Sequence, residues 1–462
     1  MNRLLRKPSR SGLREAPGKF EKFGLVENPF PSEPVVNKDS TDRRINGDIY
    51  EIEIRRKEYE QIERNFLKQP QLDPNHLRLG FIIDTSYIGR GNGKSAFLIN
   101  LQNGINEEYC LDISDGENKC FAVYVTPEPG GRTKTFPSFV DLIFESIVRS
   151  NLLDISVAIL LIDAIREVYP NIELDDDEDL LIENLSSRAW YSTKEMDLSR
   201  LFTSIYANEF LQDLPPEFPL FLGRGSLLID LVKSAHFKSY YAQLRKGKDR
   251  LEFVFSHLIR LFQAAGFNGA YLLVDDFERI PTFQSARQKT DFALELRSCL
   301  FDGLYLNSRL GFYNFFLVLH AGVPRMIAEA WQESGMENRC PISPSVESRH
   351  IIPFEKLSKD HASLLLQTYL AAYKIEGSGS NQLFPFTTEA VSAIGESSEY
   401  NAAKILKTSY DLLEQAAIED GVVEISESFV DENRGRHETA ADKAVRTIDN
   451  APAMDLLKKA QE

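Results

Sequence analysis

Between Phe81 and Leu98 the chain reads Phe-Ile-Ile-Asp-Thr-Ser-Tyr-Ile-Gly-Arg-Gly-Asn-Gly-Lys-Ser-Ala-Phe-Leu. An apolar strand, a glycine loop and a helix start, in that order, are the parts of a phosphate cradle. Gly89, Gly91 and Gly93 let the backbone curl so that several N–H groups of the loop, with Arg90 and Asn92 between them, turn toward one anion. Lys94 would reach the β- and γ-phosphates, and the hydroxyl of Ser95 would sit on Mg²⁺. A helix opening at Ser95 and continuing through Ala96 adds its positive dipole end to the same anion. The spacing departs from the usual eight-residue loop at one place: Ile88 stands where the first glycine is expected, and Gly89 follows one step late.

A second motif completes that chemistry. Residues 269–279 read Gly-Ala-Tyr-Leu-Leu-Val-Asp-Asp-Phe-Glu-Arg. The apolar run predicts a strand buried on both faces, with three carboxylates crowding its C-terminal end. One of them, Asp275, fits a Mg²⁺ ligand. Asp276 holds the slot of the base that activates the attacking water. Its short arm predicts slow turnover, and Glu278 becomes the base instead if the strand end curls.

These sites must be positioned by a larger frame. The 462 residues exceed one typical domain, and 43% hydrophobic content with 11% aromatics predicts well-packed cores. No run of 18 apolar residues occurs, so no membrane span is expected. The four cysteines, Cys110, Cys120, Cys299 and Cys340, lack metal-ligand spacing and suit a reducing, cytoplasmic setting. A net charge of −16 argues against a surface that coats nucleic acid, and leaves local basic patches. One patch is the N-terminus, with Arg3, Arg6, Lys7, Arg10 and Arg14: a solvated tail, a phosphate-gripping arm or a transit peptide. The other comprises Lys238, Arg245, Lys246, Lys248 and Arg250, either a solvated helix start or a nucleic-acid contact.

The organisation follows from periodicity. Residues 1–45 form an arm and lead-in, 46–135 the first part of an α/β core with the glycine loop, 136–250 a helical insertion, and 251–355 the second part of the core. Residues 356–430 form a helical lid and 431–462 a mostly disordered tail. Core strands are expected near 78–84, 120–125, 270–274, 314–320 and 350–354, with Ser358 and Thr387 as helix N-caps. The acidic run 174–179 reads as a solvated loop.

The order of glycine loop, Asp-Asp strand, polar-tipped strand, Phe-Glu-Lys-Leu-Ser helix and Phe-Thr-Thr-Glu-Ala helix resembles an AAA+ P-loop ATPase. It is most similar to the origin-recognition branch and its bacterial relatives: ExeA-type ATPases, transposition regulators of the TniB and TnsC kind, and ATP-binding proteins of BREX-type phage defence. The Phe-Gly-Leu-Val-Glu-Asn-Pro-Phe run at 23–30 is similar to the ExeA group, and residues 265–278 to the BREX type. The resemblance implies a parallel-sheet P-loop core, ATP and Mg²⁺, and assembly with copies of itself or another protein on DNA. It places the γ-phosphate sensor at His320, for which a core or turn histidine is the other reading. An arginine supplied in trans would neutralise the transferring phosphoryl group; by position Arg339 and Arg349 are the candidates. Two departures stand out. Where the lid helix of such proteins carries a phosphate-sensing arginine, this chain has Ala403, with Lys404 one position on, and the residues after 430 are too few for a winged-helix DNA reader. The expected function is an ATP-driven switch or motor subunit in a DNA-associated assembly, in phage defence or mobile-element biology. The alternative is a weakly hydrolysing scaffold that recruits a protein effector without touching DNA.

Overall fold

The computed structural model describes residues 18–68, 76–84, 91–107, 109–221, 232–343, 348–377 and 381–433. They divide into two compact units. One draws on 1–56, 85–100 and 354–462, the other on 57–84 and 101–353.

The second unit is α/β. Its strands β1 (Leu79–Asp84), β2 (Cys120–Val125), β3 (Gly269–Val274), β4 (Tyr313–Leu319) and β5 (Ile351–Phe354) form a five-stranded, all-parallel sheet in the order β2-β3-β4-β1-β5. Every residue of β1, β3 and β4 is buried, as expected of parallel strands covered by helices on both faces. The register sets Ile83 of β1 against Leu319 of β4, and Leu317 of β4 against Val274 of β3. The residues at the strand ends, Asp84, His320 and Asp275, therefore line one edge of the sheet. Strand β4 lies between β1 and β3, so the acidic strand is a second neighbour of β1 rather than its partner.

The long helical stretch after β2 shares the apolar core of the sheet. Helices Phe136–Arg149, Leu152–Val168 and Leu258–Ala264 contribute to the same apolar cluster as β1 to β4. Phe139 packs on Phe315 of β4 (6.3 Å between ring centroids), and Phe121 of β2 on Phe262 (4.8 Å). The acidic run 174–179 has a local job: Asp177 caps the helix Glu178–Leu185 by accepting from the Leu180 N–H at 3.0 Å. The helix Ala286–Leu300 follows the acidic strand and is capped by Ser285, whose hydroxyl accepts from the Gln288 N–H at 3.3 Å.

The first unit is built around helices Lys359–Ala372, Thr388–Ser397 and Ala402–Ile418. Ser358, Thr387 and Asn401 cap their N-termini. The lead-in buries Phe23, Leu25 and Phe30 among them, with Phe30 against Tyr369 (6.2 Å) and Phe386 (5.9 Å). The Asn28 side chain donates to the Tyr410 carbonyl at 3.1 Å, which fixes the Asn-Pro-Phe turn on the helix Ala402–Ile418. A 3₁₀ turn, Ile52–Arg55, opens the helical stretch that follows the lead-in. Among the described residues no helix is long and apolar enough to cross a membrane.

Candidate functional site

The glycine loop belongs to the first unit. Gly89 and Arg90 lie outside the described residues; Gly91, Asn92, Gly93, Lys94, Ser95 and Ala96 are within them. Gly91 and Gly93 adopt φ of +101° and +87°, a region open to glycine and strained for other residues. The helix Lys94–Asn106 opens one residue earlier than the sequence suggests, because the Gly93 carbonyl takes its first helical hydrogen bond, from the Phe97 N–H at 3.0 Å. Lys94 is 8% exposed, so its stem is buried at the first helical position. Among the described residues a side-chain carbon built on Gly93 would meet nothing within 4 Å.

The other side is closed by the C-terminal helix. The Ala403 N–H donates to the Gly91 carbonyl at 2.9 Å. A Cβ on Gly91 would come within 2.7 Å of the Ala403 Cβ and 3.0 Å of Asn401 Oδ1. The slot that the resemblance assigns to an arginine thus holds a residue small enough for the helix to rest on the loop backbone. Lys404 sits one step on with its ammonium 3.4 Å from Glu399.

Sequence reasoning missed Arg55. Its side chain is buried, with Nη2 donating to the Asn92 carbonyl at 3.0 Å and Nη1 to the Glu355 carbonyl at 2.8 Å. The guanidinium lies 3.7 Å from the centre of the Phe354 ring. In the charged run Glu51-Ile52-Glu53-Ile54-Arg55-Arg56-Lys57 nothing distinguishes it, since its partners are 37 and 300 residues away.

The acidic edge belongs to the second unit. Asp275 is buried and accepts from the Tyr124 hydroxyl at 2.5 Å through Oδ2, and from the Asp276 N–H at 2.9 Å through Oδ1. Tyr124 too escaped the sequence reading, for in Phe-Ala-Val-Tyr-Val it looks like one more strand residue. After Asp275 the strand does curl: Asp276 has φ +48° and a 3₁₀ turn, Phe277–Arg279, follows. That turn pairs the Asp276 carboxylate with Arg279 and brings Glu278 to His320, Nε2 to Oε1 at 2.9 Å. Ligand atoms of Asp276, Glu278 and His320 all lie within 4.8 Å of one another. His320 thus faces a candidate base, and its carbonyl opens a turn by accepting from the Val323 N–H at 2.9 Å. Arg339 and Arg349 are exposed on the surface of the same unit.

Of the basic patches, the N-terminal one lies outside the described residues. In the other, Arg245 pairs with Asp249 and Arg250 with Asp141, both at 2.8 Å, and Arg250 also covers the Tyr241 ring at 4.7 Å. Two of its cations are thus already engaged within the chain.

Compared with protein-family models, curated proteins and solved structures, the chain matches none.

Proposed function

We propose that this chain binds ATP with Mg²⁺, hydrolyses it slowly and works as a nucleotide-dependent switch of the AAA+ kind it resembles. The observation that carries the reading is the path of Gly91–Ala96: two glycines at positive φ feed directly into a helix that opens on a buried lysine. The first-turn N–H groups of a helix have no acceptor within it, which makes them donors for an anion. Among the described residues nothing lies within 4 Å of a Cβ built on Gly93, which supports room for a ligand beside the backbone there.

In this reading Lys94, Ser95 and the loop amides hold the phosphates, and Asp275 is a Mg²⁺ ligand of the acidic strand. Bound there, the metal would neutralise charge on the transferring phosphoryl group. Glu278 Oε1 or Asp276 Oδ2 takes the proton of the attacking water. Glu278 faces His320 and Asp276 faces Arg279, so either base must first loosen a partner, which supports slow turnover. The internal pairing of Arg245 and Arg250 supports the reading in which the switch acts through a protein partner, its own copy or another, more than through that patch on DNA.

Phosphate release at saturating ATP and Mg²⁺ tests the hydrolytic part. The variant that removes the true base, Glu278→Gln or Asp276→Asn, should retain ATP binding and lose about 10²- to 10⁴-fold in rate. Release from the wild type no faster than from Lys94→Ala would overturn it.

A further inference from the structure

We infer that Arg55 is a positioning residue for the phosphate-binding loop, an inference that rests on the nucleotide reading above. Asn92 is flanked by Gly91 and Gly93, the two residues of the loop with the most backbone freedom. A segment Gly-Asn-Gly holds one shape only if its middle residue is held. Arg55 supplies that hold: Nη2 binds the Asn92 carbonyl at 3.0 Å, while Nη1 binds the Glu355 carbonyl at 2.8 Å. The Asn92 amide closes the triangle by donating to the same Glu355 carbonyl at 3.0 Å. Phe354 fixes the guanidinium plane from below, and Phe97 of the loop helix packs on Phe354 at 5.5 Å. The planar fork matters. A lysine ammonium is a point charge on a flexible stem and cannot stack on the ring while binding two diverging carbonyls.

The contact has a second consequence. Asn92 C=O and Gly93 N–H belong to one peptide unit, so a cation on the carbonyl polarises the N–H and strengthens it as a donor. Gly93 has a positive φ, and among the described residues no atom lies within 4 Å of a Cβ built on it. A buried cation behind the loop also raises the local potential for a polyphosphate. Arg55 touches no substrate; it acts through Asn92 and Gly93.

The test uses the full chain with Arg55→Lys, Arg55→Met and Arg55→Ala. Two quantities are measured: ATP affinity with Mg²⁺, and amide hydrogen exchange of the segment 91–97 without nucleotide. Arg55→Met should weaken ATP about 10- to 100-fold, the worth of one or two charge-assisted hydrogen bonds. Its exchange should rise over 91–97 and stay at the wild-type level in the helix Lys359–Ala372. Arg55→Lys should fall between, and millimolar guanidinium should restore affinity to Arg55→Ala. Lost affinity with uniform exchange across the unit, no rescue and a general drop in melting temperature would mean a scaffold role and overturn the proposal. So would unchanged affinity with unchanged exchange. Should the wild type itself fail to bind ATP, the nucleotide reading falls, and exchange over 91–97 alone decides whether Arg55 holds the loop.

Discussion

Replacing Gly91 by alanine makes the closest test of how the loop and the C-terminal helix fit together. Two costs arise. A side chain at φ +101° costs about 1–2 kcal/mol in backbone strain. The new Cβ would also stand 2.7 Å from the Ala403 Cβ, and relieving such overpacking costs about 1–3 kcal/mol. Gly91→Ala should therefore destabilise by about 2–5 kcal/mol, a large share of the 5–15 kcal/mol that holds a typical domain folded. The partner variant Ala403→Gly costs only about 1 kcal/mol of helix propensity. In its background the clash with the Ala403 Cβ is gone, while the strain, about 1–2 kcal/mol, and the 3.0 Å approach to Asn401 Oδ1 stay. The double-mutant cycle, measured by urea unfolding with circular dichroism, should show a coupling of about 1–3 kcal/mol. Additive costs would refute the contact between Gly91 and Ala403.

Three further outcomes are expected. Tyr124→Phe removes the donor that orients Asp275 and should raise the Mg²⁺ concentration for half-maximal turnover about tenfold or more, with metal-free ATP binding unchanged; an unchanged Mg²⁺ dependence would deny Asp275 the metal role. On duplex DNA, replacing Lys246 and Lys248 should flatten the slope of log affinity against log salt by about 1.8, and replacing Arg245 and Arg250 should add little because both already face carboxylates; a drop of about 3.6 for all four would show that those ion pairs open. Burial holds the pKa of His350 and His257 below the ordinary value. Their unfolded forms take up protons first, so stability should be level above pH of about 6.5 and decline as pH falls below it, less steeply in His350→Gln; stability that climbs between pH 7 and 6 would contradict this.

The strands were legible because parallel strands buried on both faces need apolar runs, and 120–125, 270–274 and 315–319 carry them. The caps at Ser358 and Thr387 were legible because a hydroxyl before a helical run has one common use. The carboxylates Asp275, Asp276 and Glu278 stood out for the same reason, charge at the end of an apolar strand. What binds them did not. Tyr124, Arg55 and Ala403 act through partners up to 312 positions distant, as Gly91 and Ala403 show, and local patterning carries no record of such pairs. The stretch 136–250 was read as a helical insertion because more chain separates Lys94 from Asp275 than one strand–helix unit needs; that its apolar faces join the cluster of β1 to β4 could not be read from their period. The curl that sends Glu278 to His320 depends on Asp276 adopting a positive φ, which aspartate tolerates without announcing.

Titration calorimetry of the wild type and Lys94→Ala with ATP and Mg²⁺ bears most directly on the central claim. Lys94 is the cation built into the cradle, buried at the head of the loop helix. Its loss should weaken binding by about 2–3 kcal/mol, some 30- to 150-fold, or abolish it. Equal heats and equal affinity in both proteins, or no binding by the wild type, would contradict the account.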